Sequence, residues 1–239
     1  CSIRKYEKFP DGTVSVCQGD DGRLVALCPN RFLQKNNIFS WVGRELMDAN
    51  DPVILSQVDF LKSTVTDRSA GRIDNVLVKE LPGGAIDWCA LEIQAVYFSG
   101  EAMRKEFYAI LEDNSPLPFP VKHSRPDFRS SAPKRLMPQL QIKVPTLRRW
   151  GKKIAVIVDV PFFQSLGPMA KVDSVSNCDI VWFIVDFDTS INPPMIQLAD
   201  TYYTTLENAV EGLTAGIPMS LTDFEDQIRR KLSKITGSK

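Results

Sequence analysis

Histidine is almost absent. His123 is the only one in 239 residues, and it lies in a basic stretch away from any candidate nucleophile. A hydrolytic triad needs an imidazole within hydrogen-bond reach of its serine or cysteine, so that class is set aside. No Gly-x-Ser-x-Gly elbow and no glycine-rich phosphate loop occurs; Gly83-Gly84 belongs to a turn. No apolar run approaches the length that crosses a bilayer, and no basic start leads into an apolar core of the secretory kind. The chain opens on Cys1 rather than Met, as a trimmed or processed start would. Net charge is missing too, because 29 Lys and Arg balance 29 Asp and Glu. Cysteines number five, and an odd count argues against a disulfide framework.

What remains is an ordinary globular composition, 44% hydrophobic and 24% charged, at a length that suits one large domain with a small appendage. Its most informative stretch runs from Gly71 to Tyr97. Two apolar runs, Ile73–Val78 and Trp88–Val96, flank Glu80-Leu81-Pro82-Gly83-Gly84, a strong turn signal, and predict a β-hairpin or two adjacent strands. Asp74 sits near the start of the first. Glu92 and Gln94 sit two residues apart on the second, so their side chains leave one face. Glu92 is flanked by Cys89, Ala90, Leu91, Ile93, Ala95 and Val96, the pattern of a buried strand. A carboxylate kept there is costly unless it is paired or bound to metal. Two converging carboxylates with open positions suit Mg²⁺, a hard cation that takes oxygen ligands and substrate phosphates.

This arrangement resembles the PD-(D/E)xK nuclease core in a variant with Gln at the usual Lys position, and more narrowly the NotI-like type II restriction endonucleases. The resemblance rests on Gly71-Arg72-Ile73-Asp74, on Leu91-Glu92-Ile93-Gln94-Ala95-Val96-Tyr97, and on the upstream Cys28-Pro29-Asn30-Arg31-Phe32-Leu33. It covers most of the first half and weakens beyond about residue 120. It implies Mg²⁺-dependent, site-specific cleavage of double-stranded DNA by a cytoplasmic prokaryotic homodimer, with Asp74 and Glu92 holding the ion and Gln94 beside them. Such cores often draw a further acid from the helix before the hairpin, which makes Glu45 a candidate. A non-catalytic DNA-binding relic of the fold and a structure-specific repair or junction nuclease are the rival readings.

The family also carries a four-cysteine iron site near its N-terminus. Cys1, Cys17 and Cys28 match it in type and order, without a visible fourth ligand. Tetrahedral thiolates accept iron or zinc. The strand-like pieces Thr13–Cys17 and Arg23–Cys28, joined by Gly19-Asp20-Asp21-Gly22, predict a small cysteine-rich, metal-stapled hairpin over residues 1–30, ahead of a nuclease domain over 31–239. Cys89 and Cys178 lie in apolar runs and are expected as buried thiols.

Charge is unevenly spread. Between Lys122 and Lys153 ten basic residues face one acid, Asp127. Lys122, Arg125, Arg129, Lys134, Arg135, Lys143, Arg148 and Arg149 are the candidate DNA contacts, the footprint of a phosphate-backbone surface or else a solvated basic loop. Periodicity predicts helices over Arg31–Met47, Gly100–Leu111, Pro138–Trp150, Leu206–Ala215 and Thr222–Ile235, and strands over Val53–Phe60, Ile154–Val160 and Asp179–Phe187. Asp159 and Asp186 end or interrupt apolar strands; they could form a second carboxylate site, but such placement is also normal where a buried strand reaches solvent, and that reading is preferred. The whole reads as α/β, with a mixed central sheet flanked by helices around a restriction-endonuclease-like core.

Overall fold

The N-terminal segment holds too little apolar surface for a core of its own, and it is built as short strands laid against the rest of the molecule. The structure, a computed structural model, describes residues 2–4, 6–11, 13–17, 19–66, 68–99, 108, 125–214, 216 and 219–236. Cys1, Lys122, His123 and nearly all of the helix expected over 100–111 lie outside them. Strand β1 (Ser2–Arg4) pairs with β4 (Leu24–Ala26), and β2 (Tyr6–Lys8) pairs with β3 (Val14–Val16), both antiparallel. The expected pairing of Thr13–Cys17 with Arg23–Cys28 is therefore corrected. The tight turn lies earlier, where Phe9 N–H donates to the Thr13 carbonyl and the Asp11 carboxylate accepts from Thr13 N–H (2.9 Å) and Oγ1 (2.6 Å). Pro10-Asp11 is the stronger turn chemistry, because Asp bonds its own backbone two residues on. The segment is fastened to the core by Ala26, whose N–H donates to Asp159 Oδ2 at 2.6 Å and whose carbonyl accepts from Val96.

The helix expected from Arg31 begins later. Pro29–Asn36 is 3₁₀ and broken inside, with Gln34 extended and Lys35 and Asn36 left-handed. Helix α1 (Asn37–Met47) follows and ends at a left-handed Asp48. Three strands then form an antiparallel meander: β5 (Val53–Lys62), β6 (Ser69–Glu80) and β7 (Ile86–Ile93). Strand β8 (Tyr97–Ser99) pairs with β9 (Arg125–Asp127). Helix α2 (Phe128–Ser131) passes through a π-turn at Ala132–Leu136 into α3 (Met137–Arg149). Then come β10 (Ile154–Asp159), α4 (Val160–Gln164), β11 (Ile180–Asp188), β12 (Met195–Thr204), α5 (Leu206–Thr214) and α6 (Leu221–Thr236). No helix among the described residues is long and apolar enough to cross a membrane.

Six strands make one mixed sheet in the order β12-β11-β10-β7-β6-β5. Strands β7, β10 and β11 run parallel, and the remaining pairs are antiparallel. Strand β10 is buried at all six positions, as a continuous apolar run in the middle of a sheet should be. Alternation sends Val76, Ala90, Val156 and Trp182 to one face, against Leu140, Val144 and Leu147 of α3 and Leu213 of α5. Leu77, Leu91, Ile157 and Phe183 leave the other face, against Ile38, Phe39 and Val42 of α1. The α/β class and mixed central sheet thus hold.

Candidate active site

Register brings the two acids together. Asn75 on β6 pairs with Leu91 on β7, so one further antiparallel step sets Asp74 across from Glu92. Both side chains leave the face covered by α3, the face of Val76 and Ala90. Their surroundings differ. Glu92 is buried, 3% exposed, whereas the Asp74 side chain keeps 44% of its surface open. Gln57, a left-handed residue on edge strand β5, reaches Asp74 Oδ1 with its amide at 3.3 Å.

A cation fills the gap between them. Lys143 on α3 is 5% exposed, and its Nζ donates to Glu92 Oε2 at 2.6 Å. It also donates to Gln139 Oε1 one turn back at 2.9 Å and stands 4.0 Å from Asp74 Oδ2. Burial pushes the Glu92 carboxyl up to about 7; the Lys143 ammonium pulls it down, and the neighbouring Asp74 carboxylate pushes it up again. Gln94 follows the end of β7. Its backbone N–H donates to the Ile157 carbonyl on β10 at 2.9 Å, and its side-chain Nε2 donates to the Ala95 carbonyl.

The donor set fits Mg²⁺. Two carboxylates meet, one buried and one open to solvent, and such an ion takes one or two carboxylates and completes its shell with water and phosphate. Among the described residues no group of three or more His, Cys, Asp or Glu could hold a metal. The cysteine-held iron or zinc is therefore not supported. Cys17 follows β3 and Cys28 follows β4, strands of two different sheets, and Cys1 lies outside the described residues. Cys89 and Cys178 are buried thiols, and burial pushes the Cys89 thiol up to about 12.

Glu45 is not brought to the pair. It rides on α1, which covers the opposite face of the sheet, and there accepts a hydrogen bond from the Tyr203 hydroxyl of β12. The basic segment divides. Arg129, Lys134, Arg135 and Arg149 are exposed, with the Arg135 guanidinium 3.9 Å above the Tyr97 ring. Arg148 is instead drawn into ion pairs with Asp179 (2.5 Å) and Glu207 (3.1 Å), which raise its pKa. Arg125 lies on β9, and Lys122 is outside the described residues. Lys143, expected as a DNA contact, is interior. A sequence signal for it existed: position 143 falls on the α3 stripe of Leu140, Val144 and Leu147, and a lysine on such a stripe needs a buried partner.

Neither the curated proteins nor the solved structures contain a match to this chain. The family model described as restriction endonuclease NotI matches residues 1–203, which spans every strand of the sheet except the final residue of β12 and includes Asp74, Glu92 and Lys143. The chain belongs to the NotI restriction endonuclease family, nucleases that cleave double-stranded DNA at specific sites.

Proposed function

We propose that this protein is a Mg²⁺-dependent type II restriction endonuclease with a PD-(D/E)xK-type centre in which Asp74 and Glu92 hold the ion and Gln94 stands at the lysine position. The observation that carries this reading is the convergence of a buried and a half-exposed carboxylate from neighbouring strands onto one ammonium. When bound, Mg²⁺ polarises the scissile phosphate and makes its water acidic enough to attack. Glu92 supplies a carboxylate fixed by the sheet, shielded from bulk water and therefore strong in its local electrostatics. Asp74 supplies the open carboxylate through which substrate meets the site. Gln94 is anchored through its backbone to β10, and its amide can orient a water but carries no charge. The exposed Arg129, Lys134, Arg135 and Arg149 would hold the phosphate backbone. Cutting both strands of a symmetric site calls for two such centres, hence a homodimer.

The test is incubation with phage and plasmid DNA, with and without Mg²⁺, read on a gel. Discrete fragments of fixed size that appear only with Mg²⁺ are expected. Random nicking, or preference for branched DNA, would replace restriction by a structure-directed nuclease, and intact DNA under all conditions would leave a DNA-binding relic.

A further inference from the structure

We propose that Lys143, delivered from helix α3 rather than from the strand, is the catalytic cation that position 94 lacks. The inference rests on the nuclease reading above and deepens it at the same site. The chain places an uncharged Gln where a lysine side chain would face the phosphate, and Gln94 Nε2 is occupied by the Ala95 carbonyl. Among the described residues, Lys143 is the cation in ion-pair contact with both acids: its Nζ lies 2.6 Å from Glu92 and 4.0 Å from Asp74. An ammonium carries three donors. Glu92 and Gln139 engage two of them, and Asp74, at 4.0 Å, is too far to engage the third. A phosphate brought to the two carboxylates comes within reach of that third donor.

Burying a lysine at 5% exposure solely to neutralise Glu92 is poor economy, since an apolar pair of similar volume is often as stable or more stable. The placement makes sense if the charge is used. Helix α3 is fixed against the sheet by Leu140, Val144 and Leu147, and Gln139 steadies Nζ from one turn back, so the cation is pre-set and needs no reorganisation when charge develops. In the hydrolysis, a water oxygen bonds to phosphorus, the bond from phosphorus to the departing sugar oxygen breaks, the water proton leaves to solvent and the sugar oxygen gains one. Lys143 stays protonated throughout and stabilises the extra negative charge on a non-bridging oxygen.

The test uses the full chain in four forms: wild type, Lys143→Met, Lys143→Arg and the double variant Gln94→Lys/Lys143→Met. Single-turnover cleavage is measured with duplex affinity in the absence of metal and Mn²⁺ affinity by calorimetry without DNA. Lys143→Met should cut about 10²- to 10³-fold more slowly, the loss typical for a pre-set transition-state donor. Its duplex affinity should hold within about threefold, since one buried ammonium is a small part of a backbone interface. Its Mn²⁺ affinity should rise, because the ammonium no longer competes for Glu92. The double variant should regain at least about tenfold of the lost rate by returning a charge beside Glu92; Lys143→Arg should retain more activity than Lys143→Met. Cleavage by Lys143→Met at the wild-type rate overturns the proposal. So does a slow Lys143→Met that binds Mn²⁺ more weakly and is not rescued at position 94, the pattern of a merely structural counter-ion. Should Lys143→Met fail to fold by circular dichroism, the arginine and double variants decide alone: both inactive though folded overturns it. Wild type that leaves DNA intact removes the nuclease reading itself, whereas active wild type with an equally active Lys143→Met removes only the lysine's role.

Discussion

At Glu92 the deciding quantity is solvation. A carboxylate 3% exposed has lost its water and must find a cation. Asp74, half open, keeps its water and can exchange it for a ligand. Asp74→Asn and Glu92→Gln are each expected to slow cleavage by about 10³-fold or more, the several kcal/mol that a phosphate-polarising ion contributes. Binding of the same duplex without metal should survive in both, and a filter or anisotropy titration beside the cleavage assay separates the two effects. Full activity in either variant would remove that residue from the mechanism. Asp159 shows the same physics: expected where a strand reaches solvent, it is instead buried at the end of β10. It is 1% exposed and accepts from Ala26 and Phe162 N–H groups. Burial outweighs those donors and raises its pKa from 3.8 to about 7. A folded-state pKa above the unfolded one means that its stabilising contribution is complete below about pH 4 and lost as pH rises through about 7. Glu92, also raised to about 7, acts in the same window and with the same sign. Metal-free protein should therefore melt about 5 °C lower at pH 8.5 than at pH 5.5, and Asp159→Asn should remove part of that difference by calorimetry. The two acids were legible in sequence because a charge inside an apolar run calls for explanation. Lys143 is masked by its neighbours: among ten basic residues it looks like one more surface charge, although its helix turns it inward.

Helix α3 is the element on which the site depends most. Its apolar stripe seats it on Val76, Ala90 and Val156, and that seating sets where Nζ arrives. Pro145 lies inside it, yet the helix continues to Arg149 because the packed stripe holds the turn that the missing N–H cannot. Leu140→Ala removes a fully buried side chain and is expected to cost about 3 kcal/mol, read as a lower urea midpoint with unchanged slope. Cleavage should fall as well, at temperatures where the variant is still folded, because a loosened helix no longer fixes the ammonium. Undiminished cleavage in stable Leu140→Ala protein would mean that helix placement does not limit the chemistry. Periodicity located α3, β10 and β11 to within a few residues, since long apolar patterns are set by the core they enter. It failed where backbone conformation ruled. The left-handed Lys35 and Asn36 postpone α1 and carry no hydrophobic signature, and three-residue strands near the N-terminus are too short for period-two alternation to choose their partners. That Glu45 lies away from the pair is hidden for a related reason: the stripe on α1 shows that the helix is amphipathic, but sequence does not say which face of the sheet it covers.

Across the whole molecule, charge balances to zero, so any hold on DNA must come from where the charges stand. The exposed Arg129, Lys134, Arg135 and Arg149 lie on the α2–α3 segment that also carries Lys143. In the proposed reading, the backbone contacts and the catalytic cation would thus belong to one stretch of chain. Arg148 already has partners within the fold. Its guanidinium ties the end of α3 to Asp179 at the entry to β11 and to Glu207 on α5, and Asp179 in turn accepts from Leu206 N–H. Neutralising a phosphate releases counterions, so each true contact adds about one to the slope of log affinity against log salt. Alanine at Arg129, Lys134, Arg135 or Arg149 should each lower that slope by about one and weaken binding to all sequences alike. Arg148→Ala should leave the slope unchanged and instead cost about 1 kcal/mol or less of stability, since the pair is half exposed to solvent. A salt titration on these five variants separates residues that sequence had grouped by charge alone. A full-unit drop for Arg148→Ala would mean that the guanidinium leaves its acids for the phosphate when DNA arrives, and that the end of α3 is remade in the complex.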